Sequence, residues 1–217
     1  MRVAPVGMYY ATLAAENDAN QSALLNEAFA TGCRSAAITH GHRTGQLASG
    51  AFAAIVMLLL TGAHLRLAVT AIMPMLAAHQ VSSFFAPPSV WISLMRSPLF
   101  DTTDLSALKK GYYGASIMPV EVLKELAARL PHMRLWNLYG QTEIAPLATV
   151  LKPEDQLRKA GSAGRAAINV ETRVVNDAMQ DVAVGEVGEI VHRSPHLMLG
   201  YFNDPERTAA AFSGDWF

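Results

Sequence analysis

From residue 46 to residue 151 the chain alternates between helix-like and strand-like runs, and that rhythm restricts the fold more than any other feature. Gln46 to Leu60 is almost wholly apolar and reads as a buried helix. His64 to Thr70 alternates apolar and polar positions and predicts a strand. Ala71 to His79 predicts a short helix, with Pro74 as a blemish inside it. Val81 to Ala86 predicts a strand stopped by Pro87-Pro88, and Ser89 caps a helix through Met95. Leu108 to Ala115, with Gly111 and Gly114, predicts the next strand. Pro119 opens a helix whose apolar face is Val120, Val122, Leu123, Leu126, Ala127 and Leu130. Met133 to Tyr139 is a strand again. A repeating strand–helix–strand order predicts an α/β fold, with a mostly parallel sheet flanked by helices.

The last of these strands runs into Tyr139-Gly140-Gln141-Thr142-Glu143, and a second apolar run, Ile144 to Leu151, resumes behind it. A polar cluster pinned between strand-like runs is where an α/β sheet presents chemistry. Tyr139 offers a flat face to a base. Gly140 lets backbone approach closely. Thr142 can donate to a phosphate, and Glu143 can hold a hard cation such as Mg²⁺. On these residues alone a second reading stays open, a strand–turn–strand with a solvated Glu143.

Elsewhere the signals are plainer. Residues 1–40 are irregular or helical, with a helix on propensity from Tyr10 to Ala30 ended by Gly32. His40 and His42 have no nearby Cys or carboxylate to complete a ligand set, so Thr39 to His42 reads as a loop. At about residue 160 the rhythm changes. Gly161-Ser162-Ala163-Gly164-Arg165 reads as a flexible junction. Val170 to Val175 then alternates with period two, Asn176-Asp177 signals a turn, and Val187 to Arg193 is a further strand. Asp204 caps a short helix with Pro205 at its first position. The predicted organisation is an N-terminal segment over 1–40, an α/β subdomain over 41–159, and a small antiparallel β-barrel-like subdomain with a terminal helix over 160–217.

The formal net charge of the 217-residue chain is −1, which argues against a nucleic-acid binder working by bulk electrostatics. Charged residues are 16%, against about 25% in ordinary soluble domains, so disorder is not expected. Cys33 is alone, so no disulfide framework or thiolate metal site is expected, and a cytoplasmic location fits. The start, Met1 to Pro5, has no long apolar run behind its basic residue and predicts no signal peptide. Ala48 to Ala63 is apolar but shorter than the roughly 18–20 residues of a spanning helix. A buried helix is the reading preferred, with no stable membrane insertion; a membrane-associated segment is the alternative.

Five stretches occur in order: Tyr112 to Pro119, Tyr139 to Glu143, Gly161 to Arg165, Gly185 to Ile190, and Gly200 to Thr208. Together they resemble the adenylate-forming superfamily, and within it the AMP-forming acyl-CoA synthetases. The resemblance covers residues 80 to 217 well and 42 to 80 more loosely. It implies ATP-dependent activation of a carboxylic acid to an acyl-adenylate, followed by transfer to coenzyme A. It implies that Gly114, Ala115 and Ser116 lie against the adenine and the acyl site. It further implies that Tyr139 stacks on adenine within the Tyr139-Gly140-Gln141 turn, that Thr142 contacts the adenylate phosphate, and that Glu143 holds Mg²⁺. His42 loosely resembles a pocket-lining His of the family, although Gly41 stands where an apolar or aromatic residue is usual. Glu189 and Arg193 read as solvated or structural, and Gly200-Tyr201 as a turn.

The chain departs from the family pattern in having no Ser/Thr/Gly-rich phosphate loop with a Lys, and it stops before the family's ribose-binding Asp and its lid domain with the catalytic Lys. The expectation is therefore a central fragment that makes acyl-CoA poorly or not at all. The family resemblance of Phe84 to Trp91, together with the apolar helices, implies a fatty acid as the favoured substrate class. The competing expectation is a non-catalytic remnant that binds a nucleotide or a protein partner and self-associates through an exposed sheet edge, as a homo-oligomer.

Overall fold

The computed structural model describes residues 3–16, 20–39 and 41–217. His40, residues 17–19 of the predicted helix over 10–30, and the first two residues lie outside the described part. The chain divides into two compact units, Met1–Phe84 with Ser89–Lys109, and Phe85–Pro88 with Lys110–Phe217.

In the first unit three helices carry most of the packing: α1 (Ala4–Glu16), α2 (Gln21–Ala37) and α3 (Arg43–Leu60). They bury small residues against a few large ones, with Tyr10, Ala11, Ala14, Ala28 and Met57 in one cluster. Alanine at such positions lets helix axes approach closely, and Met57 fills the space that remains. The single thiol, Cys33, has its pKa raised, chiefly by burial.

The predicted strand over 64–70 is instead helix α4 (Leu65–Thr70). A strand would have buried Leu65 and Leu67 on one face, whereas both are exposed and the consecutive run Ala68, Val69 and Thr70 is buried. Three adjacent buried residues fit a helix end and not an alternating strand. Pro74 is no blemish, because α5 (Met73–Ala78) begins around it. In the first helical turn its missing N–H costs nothing. Helix α6 (Pro88–Met95) and the short α7 (Leu99–Thr102) follow a three-residue strand, β1 (Ser83–Phe85). Trp91 and Leu94 are fully enclosed, and Trp91 meets Phe84 edge to face.

The second unit holds the sheet. Its strands are β2 (Lys110–Gly114), β3 (Arg134–Gly140), β4 (Leu147–Leu151) and β5 (Arg165–Ala166), and the sheet order is β1-β2-β3-β4-β5. β2 and β3 pair in parallel across helix α8 (Val120–Arg129), while β4 and β5 extend the sheet antiparallel. Helix α8 buries Leu123 and Leu126 and exposes its Glu121, Lys124 and Glu125. The α/β class stands, with helix α8 joining the parallel strands and a separate antiparallel pair after the sheet. That pair is β6 (Glu171–Val175) with β7 (Glu189–Arg193), turned by Asn176, whose Oδ1 accepts from the N–H groups of Ala178 and Gln180. The last residues lie beside it: Phe217 exchanges both backbone hydrogen bonds with His192, and the guanidinium groups of Arg173 and Arg193 both lie against the Trp216 ring, 5.0 and 4.8 Å from its centroid. Helix α9 (Pro205–Ala211) starts at the predicted cap, where Asp204 accepts from Arg207 N–H at 3.0 Å.

The 161–165 stretch is not a loose junction. Asn137 donates to the Ser162 carbonyl and Thr149 donates 2.6 Å to the Ala163 carbonyl. Gly164 has φ +90°, and a β-carbon there would overlap the Val150 backbone. The glycines that suggested flexibility instead admit a turn pressed onto β4.

Candidate active site

The register of the parallel pair places the predicted residues. Gly114 stands opposite Leu138, so β2 and β3 reach their carboxyl ends together. Residues 114–116 and 139–143 therefore emerge side by side at the end of the sheet where open α/β folds hold ligands. Gly114 is buried, and a β-carbon on it would meet the Leu138 carbonyl oxygen. Ala115 follows with φ +67°, and Ala115 and Ser116 are exposed.

Tyr139 is half-buried and packs one side against the cluster of Ile144, Ala148 and Val170. Its ring centroid lies 6.1 Å from that of His192, tilted by 47°. Gly140 closes β3 at a register shift in the β3–β4 ladder. A side chain at Gly140 would collide with the Pro146 carbonyl. Gln141 is half-buried, and a single 3₁₀ turn then carries Thr142, Glu143 and Ile144. Thr142 is exposed and Ile144 is fully buried, so the turn is anchored by its apolar residue while its hydroxyl faces outward.

Glu143 is half-buried and held from the far end of the chain. Its carbonyl accepts from Met198 N–H at 2.7 Å. Its Oε1 accepts from the Tyr201 hydroxyl at 3.0 Å. His196 Nδ1 lies 2.7 Å from the next carbonyl, that of Ile144. The hydrogen bond to Glu143 is the main reason the Tyr201 phenol has a raised pKa. None of these partners stood out in the sequence as a neighbour of Glu143, because they lie 52 to 58 residues away. The Gly200-Tyr201 pair read only as a turn.

His42 belongs to the first unit, exposed at the start of α3, where its carbonyl accepts from the N–H groups of Gly45 and Gln46. Among the described residues no three His, Cys, Asp or Glu side chains gather as a metal cage. Glu143 still offers a carboxylate with Oε2 uncommitted among the described residues. That suits Mg²⁺, which is commonly held by one or two carboxylates with the rest of its shell from phosphates and water. A cleft lined by Leu123, Leu126, Met133 and Gln156 opens instead at the start of β3. It lies at the opposite end of that strand from Tyr139 and contains none of the predicted residues.

Residues 36–202 match the family described as AMP-binding enzyme. The chain belongs to that family. An indoleacetate–CoA ligase from Aromatoleum aromaticum is 40% identical over 124 residues, 57% of this chain and 24% of that protein. A feruloyl-CoA synthase from an Amycolatopsis species is 29% identical over 147 residues, 68% of this chain and 30% of that one. Among solved structures, a fatty acyl CoA synthetase of Mycobacterium tuberculosis is similar with a TM-score of 0.63 and 32% identity, covering 69% of this chain and 29% of that chain. An O-succinylbenzoate coenzyme A synthetase from Bacillus subtilis in complex with AMP has a TM-score of 0.60 and 25% identity, over 76% and 34% of the two chains. The chain thus spans about a quarter of the length of the curated relatives it matches first, at 24% each. Among the described residues no helix is long and apolar enough to cross a membrane.

Proposed function

We propose that the chain carries the adenylate-holding part of an AMP-forming ligase, which activates a carboxylic acid with ATP and passes the acyl group to coenzyme A. The observation that carries this reading is the pairing of Gly114 with Leu138, which sets 114–116 beside 139–143 in a member of this family. In this reading Gly114, Ala115 and Ser116 border the adenine and the acid, and Gly114 lets β3 press close beside the exposed Ala115 and Ser116. Tyr139 gives one ring face to the base while its other side rests on the core. Thr142 donates its exposed hydroxyl to the α-phosphate. Glu143, whose Oε2 is uncommitted among the described residues, would hold Mg²⁺, which would supply neutralisation of phosphate charge. The chain's own task is positioning and charge placement, which dominate phosphoryl and adenylyl displacement.

The acid is expected to have an apolar body. The fatty acyl CoA synthetase likeness supports a fatty acid. The indoleacetate relative favours an arylacetic acid as the second reading. Titration calorimetry with AMP, MgATP and acyl-adenylate analogues bearing decanoyl or indoleacetyl groups tests the proposal. Saturable binding of one analogue, weakened in Tyr139→Ala and Thr142→Val, is the expected result. Folded wild-type protein that binds none of them at millimolar concentration refutes it, and stable oligomers beside that silence favour a non-catalytic remnant.

A further inference from the structure

We propose that Tyr201 is a positioning residue for Glu143, fixing the carboxylate through Oε1 so that Oε2 is presented to a nucleotide-borne divalent cation. This assignment rests on the ligase reading above. The hydroxyl of Tyr201 is the single hydrogen-bond donor to the Glu143 side chain among the described residues, at 3.0 Å. Tyr201 is itself held at two points, its backbone N–H and its ring. Tyr201 N–H donates 2.8 Å to Thr208 Oγ1, and that hydroxyl donates 2.7 Å to the Asp204 carbonyl. The Arg207 guanidinium lies 4.2 Å over the phenol ring. Helix α9 thus grips the ring, and the ring grips the carboxylate.

The backbone at 143–144 has separate holders. Met198 N–H takes the Glu143 carbonyl and His196 takes the Ile144 carbonyl. Those two contacts keep the turn in place without Tyr201. The phenolic hydroxyl adds something the backbone contacts do not, a fixed direction for the side chain. A free glutamate loses rotamer freedom when it captures a cation, and that loss weakens binding. Prior orientation removes the loss, so the effect of Tyr201 belongs in cation affinity and not in fold stability.

The test is calorimetry of ATP binding to the full 217-residue chain, in Mg²⁺ and again in EDTA, for wild type, Tyr201→Phe, Glu143→Gln and the double variant. Phenylalanine keeps the ring under Arg207 and removes the hydroxyl alone. In Tyr201→Phe the Mg²⁺-dependent gain in ATP affinity is expected to fall by about two- to tenfold, the range for one immobilised side chain. Affinity in EDTA and the Tm stay at wild-type values. In the Glu143→Gln background the same change has no further effect. A full Mg²⁺ gain in Tyr201→Phe, beside its loss in Glu143→Gln, overturns the Tyr201 assignment and leaves the ligase reading standing. An equal loss in Mg²⁺ and in EDTA, or a lowered Tm of matching size, also overturns it, because the residue is then structural. A wild-type chain with no ATP binding, or with a Mg²⁺ gain that survives Glu143→Gln, overturns the metal role of Glu143 and the assignment with it.

Discussion

Gly140→Ala is the most exposed test of the site's geometry. Gly140 ends β3 where the ladder to β4 shifts register. A β-carbon built there falls inside contact distance of the Pro146 carbonyl oxygen, 2.8 Å from the Pro146 carbonyl carbon and 3.0 Å from Ala148 N. All three are backbone atoms, so no rotamer change relieves them. The Gly140–Leu147 rung must open, or the approach to β4 must bend away. Overpacking costs about 1–3 kcal/mol, and a clash with backbone belongs at the upper end. A loss of about 3 kcal/mol is a factor of about a hundred in the folding equilibrium. With a urea m-value of about 2–3 kcal/mol per molar, the unfolding midpoint drops by about 1 M. Urea titration followed by far-ultraviolet circular dichroism reads it directly. Gly41→Ala is the control, since nothing lies within 4 Å of a β-carbon there, and it should stay within about 0.5 kcal/mol of wild type. The displaced turn also carries Thr142 and Glu143, so ATP affinity should fall with stability. A Gly140→Ala midpoint within about 0.2 M of wild type, with an unchanged m-value, would refute the reasoning.

Two further predictions concern pH. His192 is fully buried, its Nδ1 lies 3.0 Å from Thr172 Oγ1, its Nε2 has no hydrogen-bond partner among the described residues, and burial lowers its pKa. The folded protein therefore keeps it neutral while the unfolded chain protonates near about 6.5, so stability is full above that pH and falls below it until the lower folded value is passed. The slope from this residue reaches at most about 1.4 kcal/mol per pH unit, and His192→Gln should flatten it in urea titrations between pH 7 and 5; an unchanged acid slope contradicts the assignment. Tyr113 donates 2.8 Å to Gln156 Oε1, and burial pushes its pKa up to about 12. Its contribution is complete below about pH 10 and is lost as pH rises from 10 towards 12. Tyr113→Phe should lower stability by about 1 kcal/mol at neutral pH and reduce the alkaline fall, with equal alkaline melts in the two proteins as the contrary result.

The sequence carried much of this architecture because several of its signals are local. The period-two run at Val170 to Val175 became β6, which begins at Glu171, and Asp204-Pro205 became the start of α9, since a side-chain cap and a fixed φ act within one turn. His64 to Thr70 misled because it alternates only as far as Leu67, and its burial is set by neighbours elsewhere in the first unit, which enclose Ala68, Val69 and Thr70 and leave both leucines in water. The 161–165 turn misled for a related reason, since its glycines answer to the backbone of β4. At the candidate site the order of the motifs along the chain pointed to residues 114–116 and 139–143, which the sheet register sets side by side. The holders of Glu143 were not legible, because a hydrogen bond spanning 58 residues leaves no periodic or adjacent signal.

That span has a kinetic consequence. β2, α8 and β3 lie close in sequence and can assemble through local contacts. The turn at Thr142 to Ile144 gains its holders only after the β6–β7 ribbon has formed and carried His196, Met198 and Tyr201 back across more than fifty residues. Closing such a loop is entropically unfavourable, and contacts of high sequence separation tend to complete late. In refolding experiments the sheet should gain hydrogen-exchange protection before the amide of Met198 does. Conditions that loosen the ribbon would then release the carboxylate of Glu143 while leaving β2 and β3 paired.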